Sequence, residues 1–368
     1  METEHKKNWE RYRENELTRA GRVAANFGFD LDDRQVHIGG ERYLMTQKRD
    51  VGGGGLKLVL LGKRTSDGLR VVIKFSTDAD GMREIETEHN ARILITNLDF
   101  AYHTFAAPEE LLYKKNTEYA IAISVYIEQQ SVFLSRTKEE QFALALRSFK
   151  TQEGVHATTY AHAKKIRGAL GMINAGNYLR SFAGFVKDTA SVHDAHLDQT
   201  LAQASQFLEA HTMTIEQYCG FLTHSDFVPH NLRIVDNQIY LLDYASIHFG
   251  SKHESWARFL NFMMLYNPAL EQALLQYVRD NRSEEEYLSL RLMRVYKLGF
   301  LLSFYAGQLG KASSDVEALA KERIAFWTKA LVAVIEDEPL APRVISDYQT
   351  TRDVLRSTEE KERQRELH

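Results

Sequence analysis

Asp226, Asn231 and Asp243 are the residues of this sequence whose types and spacing could do chemistry together. The first two lie in Phe221-Leu222-Thr223-His224-Ser225-Asp226-Phe227-Val228-Pro229-His230-Asn231, which contains His-x-Asp-x-x-x-x-Asn. Asp243 follows that Asn by twelve residues and closes the run Ile239-Tyr240-Leu241-Leu242. Asp226 is placed to accept a proton from a hydroxyl group. Asn231 and Asp243 offer hard oxygen donors suited to Mg²⁺ on a nucleotide's phosphates, phosphate and water completing the shell. The chemistry this set would serve is phosphoryl transfer.

The spacing has a geometric reason. Leu232 to Val235 and Ile239 to Leu242 are apolar-rich runs separated by Asp236-Asn237, a polar pair suited to a two-residue hairpin. Folding the chain about that pair sets residue 231 opposite residue 242, so Asn231 and Asp243 emerge side by side at one end of the ribbon. Asp226 overhangs the same point from the preceding loop. Taken alone, the first motif also arises in loops where His224 and Asp226 serve as turn and capping residues. The second Asp after a hairpin, and the residues upstream, favour the phosphotransfer reading.

Those upstream residues are β-like and glycine-rich. Glu41 to Thr46, Leu56 to Leu61 and Leu69 to Phe75 read as strands, with Ser66-Asp67-Gly68 turning between the last two. Gly52, Gly53, Gly54 and Gly55 join the first two strands, and such a backbone can approach a ligand closely and aim its N–H groups at phosphates. The same run also suits a ligand-free hairpin tip. It is neither G-x-G-x-x-G nor a Walker motif, since Gly62-Lys63 is followed by Arg64 and Lys57 stands five residues before Gly62. Val71-Val72-Ile73-Lys74 places a lysine at the end of a strand, as in V-A-I-K, where it pairs with phosphates and an acidic helix residue. Gly81 to Asn97 reads as that helix and carries Glu84, Glu86 and Glu88. Glu88 is the expected partner of Lys74, because Ala91 and Ile95 put it on the inward side. Tyr119 to Ile127 is a further strand, ending at Glu128-Gln129-Gln130.

From Lys138 onward the pattern is helical, over Gln141 to Phe149, Leu201 to His211, Trp256 to Met264, Ala269 to Asp280, Tyr287 to Leu309 and Val316 to Ile335. Residues 1–33, with Trp9, Tyr12, Leu17 and Val23 at irregular intervals, read as a helical extension packed loosely outside. Residues 347–368 read as a charged, solvated tail. His156, His162, His193-Asp194, His196 and His211 raise a metal-dependent phosphohydrolase as a rival, but their spacing lacks acidic partners in phase. His253-Glu254 and Trp256 either border a substrate pocket or begin a helix packed on the loop, and the helix start is preferred.

With 368 residues, 44% apolar and 26% charged, the chain can bury at least one large core and is expected to form two lobes. Its net charge of −4 gives no reason to expect nucleic acid or an anionic membrane as partner. A single cysteine, Cys219, excludes an internal disulfide and a Cys-rich zinc site. The N-terminus is charged, and no run of about 18 apolar residues occurs, so a cytoplasmic protein is expected.

Assembled, these residues make a chain that resembles the aminoglycoside phosphotransferase and choline kinase-like group of the protein kinase-like superfamily, over about residues 35–310. The group shows H-G-D-x-x-x-x-N, often with proline three residues after the Asp; here Ser225 replaces the glycine and Pro229 holds that place. Asp243-Tyr244-Ala245 stands where protein kinases have Asp-Phe-Gly, and no Ala-Pro-Glu segment follows. The resemblance implies an α+β fold. A small N-terminal lobe (34–128) with an antiparallel sheet and one helix is joined to a larger, mainly helical lobe (129–346). It implies Asp226 as catalytic base, Asn231 and Asp243 as Mg²⁺ ligands, and Lys74 on ATP phosphates with Glu88 as its partner. Backbone groups from Val125 to Ile127 would meet the adenine.

The substrate does not carry over. Aminoglycosides are polycations and need a strongly acidic pocket, whereas residues 129–200 lean basic. A small hydroxylated molecule such as a sugar, an amino alcohol or a nucleoside-like compound fits no worse. A nucleotide-binding pseudokinase and a protein Ser/Thr kinase are the alternatives.

Overall fold

The computed structural model describes residues 2–33, 35, 57–100, 102–236, 238–310, 314–356 and 361. The glycine run 52–55 and the strand expected over 41–46 lie outside the described residues. Helix α1 (Glu2–Ala25) leads into β1 (Phe29–Leu31), β2 (Leu58–Arg64) and β3 (Arg70–Ser76). Helix α2 (Ala79–Thr96), β4 (Glu110–Lys115) and β5 (Ala120–Val125) complete the first part. The strands form one antiparallel sheet in the order β1-β2-β3-β5-β4.

Strand alternation divides the sheet into two faces. Leu58, Leu60, Val71, Ile73, Phe75, Ile121 and Ile123 are buried together with Ala20 and Ala24 of α1. The alternate positions, Lys74 among them, face the other way. There α2 packs through Met82 and Ile85 on Ala120. Asp78 starts α2 by accepting from the backbone N–H groups of Asp80 (3.2 Å) and Gly81 (3.1 Å).

Residues 16–31 are therefore not a loosely attached extension. Ala20 and Ala24 are fully buried on the sheet. Glu16 is buried as well, and its Oε1 accepts from the Thr77 hydroxyl at 2.6 Å, just before the cap of α2. Residues 29–31 form the edge strand, where Asp30 O so closely approaches Gly62 that a side chain there would collide with it.

The second part is mainly helical: α3 (Lys138–Leu170), α4 (Ala175–Thr189), α5 (Ala195–Ala210) and α6 (Thr212–Gln217). After four short strands come α7 (Glu254–Tyr266), α8 (Pro268–Asn281), α9 (Glu284–Ala306), α10 (Ser314–Glu336) and α11 (Pro342–Leu355). Helix α7 is the centre of this core: Trp256, Phe259, Leu260 and Met263 are buried, and Trp256 stacks on Phe149 of α3 at 4.3 Å. The solvated tail expected from residue 347 begins too early. Residues 342–355 are α11, whose Tyr348 is buried and stacks on Phe326 at 4.2 Å.

Two contacts join the parts close to the hairpin that follows Asn231. Ala106, between α2 and β4, donates its N–H to Ile239 O (2.9 Å) and accepts from Leu241 N–H (2.9 Å). Helix α2 lies against the segment after Leu242, with the Arg92 guanidinium 4.9 Å from the centre of the Tyr244 ring. Among the described residues, no helix is long and apolar enough to cross a membrane.

Candidate active site

Strand β6 (Phe221–His224) delivers the loop that carries Asp226, and a turn at Pro229–Asn231 leads into the hairpin β7 (Leu232–Val235) and β8 (Gln238–Leu241). The register is Leu232↔Leu241 through Val235↔Gln238, with Asp236 at φ 51° in the turn. One further bond, Leu242 N–H to Asn231 O at 2.8 Å, extends the ladder, so Asn231 and Asp243 stand at the same end of the ribbon. Asp243 has left-handed backbone (φ 55°, ψ 58°), which turns the chain sharply before β9 (Ile247–Gly250). Strand β9 pairs with β6, and Ser225 N–H reaches Ser246 O at 2.9 Å. Ser225 itself has no positive φ, so the loop accepts serine where glycine is usual without backbone strain.

The side chains converge. Asn231 Nδ2 donates to the main-chain oxygen of Asp226 (2.8 Å) and to its Oδ2 (3.0 Å). On the other oxygen, Arg258 from α7 donates to Oδ1 through Nε at 2.9 Å, with Nη2 also at 2.9 Å. His230 Nε2 stands 3.8 Å from Oδ2. Burial works against ionisation of Asp226, but Arg258, His230 and His224 outweigh it and hold the carboxyl well below the usual carboxylate range. His224 is buried beneath the loop and reaches the carbonyls of Leu242 (3.1 Å) and Asp243 (3.0 Å) through Nε2, tying β6 to the turn at Asp243. Burial lowers its pKa, partly offset by Asp243 and Asp226.

Asp243 accepts from the Ser246 hydroxyl at 2.6 Å. Burial again disfavours its charge, and Lys57, Lys74 and His224 overcome that effect, holding the carboxyl below its ordinary range. Both lysines thus lie near enough to Asp243 for their charges to bear on it. Lys74 Nζ pairs with Glu88 at 2.5 Å, while Glu84 takes Lys57 and Glu86 takes Lys115. Glu88 is also 3.6 Å from Arg92, the residue that covers Tyr244. The helix carboxylate expected from Ala91 and Ile95 is the one that meets Lys74.

Other sequence-predicted residues are placed differently. Val125 N–H is used on Glu109 O (2.9 Å) and Tyr126 N–H on Arg70 O (3.0 Å), so neither amide can donate to a base; Ile127 follows the last of these bonds. The Val125 amide belongs to the sheet. Glu254 lies in the core, held by Tyr178 Oη (2.6 Å), His248 (2.7 Å) and Lys297 (2.7 Å), and Trp256 is buried beside it. His156 is buried against Gln152, and His162 contacts Asp99 O. Among the described residues, no group of three or more His, Cys, Asp or Glu side chains is arranged to hold a metal. Cys219 bonds to Ile215 O, and burial pushes its thiol up to about 12.

Arg258 and Lys57 were not singled out from the sequence. Nothing in the spacing ties residue 258 to residue 226, since the contact exists only because α7 packs under the loop. Lys57 was detectable: folding about residues 66–68 puts it on the Lys74 side of the sheet.

No protein-family model and no curated protein sequence matches the chain. Solved structures do. A thermostable mutant of aminoglycoside phosphotransferase APH(4)-Ia in its apo form superposes with a TM-score of 0.60 at 14% identity, covering 86% of this chain and 97% of that one. This chain has the aminoglycoside phosphotransferase-like kinase fold. Amicoumacin kinase hAmiN, solved with AMP-PNP, Ca²⁺ and Ami, shares the kinase fold at TM-score 0.57 and 13% identity, over 92% of this chain and 98% of that one. The Plasmodium vivax ethanolamine kinase does so at TM-score 0.53 and 11% identity, over 76% and 80%. In this kinase fold the sheet carrying Lys74 and the helical part carrying Asp226 form the two lobes.

Proposed function

We propose that the protein transfers the γ-phosphate of ATP to a hydroxyl of a small molecule, with Mg²⁺. The observation that carries this reading is the hairpin register, which brings Asn231 and Asp243 to one end of a ribbon beside Asp226 and opposite Lys74. The donor set suits Mg²⁺: Asp243 contributes a carboxylate and Asn231 an amide oxygen, its nitrogen being used on Asp226. When bound, the metal would neutralise charge on the phosphate chain.

The chain's own residues do the rest. Lys74, steadied by Glu88, binds phosphate oxygens. Asp226, steadied by Asn231 and Arg258, orients the acceptor hydroxyl and takes its proton as the acceptor oxygen bonds to phosphorus and the bridging P–O bond breaks. His224 fixes the backbone at Asp243. We place this activity in the cytoplasm, where ATP is plentiful. The Arg258 guanidinium at the proton acceptor argues for an acceptor that is not a polycation.

The test is ATP consumption over a panel of hydroxylated metabolites and aminoglycosides, with the Asp226→Asn protein as blank. Acceptor-dependent turnover supports the reading. ATP binding with no turnover on any acceptor, or phosphate appearing on protein instead, overturns it.

A further inference from the structure

Lys57 is the residue immediately before β2, and only one residue separates it from the glycine run. In the β2–β3 ladder Val59 lies opposite Lys74 and Leu58 opposite Phe75. Side chains alternate across a strand, so Lys57, two residues from Val59, is on the Lys74 face and is its diagonal neighbour. Long side chains on such diagonals reach the same space. Facing them are Glu84 and Glu88, one helical turn apart on α2. Lys57 pairs with Glu84 and Lys74 with Glu88, giving two parallel rungs between sheet and helix. Lys57 is no surface residue, its side chain being 16% exposed, against 18% for Lys74.

A lysine that only fastened α2 to the sheet would duplicate the Lys74–Glu88 pair. Two largely covered cations side by side on one face of the sheet, one of them on the strand that follows a glycine run, are suited to a polyanion. We infer that Lys57 is a second phosphate-binding lysine, so that the polyphosphate chain of the nucleotide is gripped by two ammonium groups, each held by its own glutamate. This rests on the proposed function of the same cleft. It implies that nucleotide affinity rises with the number of phosphates and that Lys74 is not the sole phosphate contact from the sheet.

The experiment is calorimetric titration of ATP, ADP and AMP, with Mg²⁺, into the wild type and into Lys57→Met, Lys57→Arg and Glu84→Gln. Losing one charge-assisted hydrogen bond should weaken ATP by about tenfold in Lys57→Met. AMP should change little, and Lys57→Arg should recover part of the loss. Glu84→Gln releases Lys57 from its carboxylate and should keep or raise ATP affinity. The inference is overturned if Lys57→Met binds ATP like the wild type. It is equally overturned if Lys57→Met and Glu84→Gln weaken all three nucleotides alike, which is the signature of a fastening role. Wild type that binds no nucleotide overturns the proposed function itself, a separate result.

Discussion

Arg258 meets Asp226 on a single carboxylate oxygen, Nε and Nη2 both lying 2.9 Å from Oδ1, while Asn231 occupies the other oxygen. Both lone-pair regions of the proposed proton acceptor are thereby engaged before any acceptor arrives. Such a carboxylate stays ionised to low pH and is better suited to orienting a hydroxyl than to removing its proton early. Removing the guanidinium with Arg258→Met lets the Asp226 carboxyl rise toward its ordinary value. The acid limb of kcat/KM should then move to higher pH, with activity lost sooner on acidification. A pH–rate profile whose acid limb stays in place would show that Arg258 does not govern this group.

Asp226→Asn keeps the shape and the contacts at Oδ1 while removing the charge. Turnover should fall about 10²- to 10⁴-fold, the usual range for a positioned acid–base group. ATP affinity, measured by titration, should be nearly unchanged because Lys74 and Asp243 are untouched.

Buried histidines make the fold sensitive to acid. Burial pushes His156 down to about 3 and lowers His224 and His253. Lys252 adds to the effect at His156 and His253, whereas carboxylates oppose it at His224. The unfolded chain takes up these protons near pH ~6.5 and the folded chain does not, so stability rises with pH across that window and declines as pH falls below it. Each histidine contributes a slope of at most about 1.4 kcal/mol per pH unit. Urea unfolding at a series of pH values should show this decline, and His156→Gln should reduce the slope by about one proton.

Lys297→Met is expected to be costly. It leaves Glu254, which is buried, without its nearest cation, and breaking a buried pair from one side costs ~3–5 kcal/mol. Denaturant unfolding reads the loss directly. Lys297→Met combined with Glu254→Leu should recover part of it, since the uncompensated charge is then gone.

Much of the site is legible in the sequence because it is built from local rules. The turn at 236 fixes the pairing of residues 231 and 242, and the strand and helix periods put Lys74 and Glu88 on facing sides. What escaped notice depends on tertiary packing. Strand β4 has no alternating burial, its residues running from half-buried to exposed, so no period marked it. Helix α11 buries only Ile345, Tyr348 and Arg352, too few apolar positions to stand out from its polar composition. The backbone of residues 125–127 is expected to meet the adenine, and the Val125 amide within it is engaged by Glu109 O. Arg258 reaches Asp226 only through the placement of a helix, which no spacing rule encodes.

Ala106 bonds to β8 through both its N–H and its carbonyl, on the side of the sheet where β4 lies. That stitch fixes the β4 edge of the sheet to the ribbon whose end carries Asn231 and Asp243, so the join between the two parts is set there by main-chain bonds and not by side chains alone.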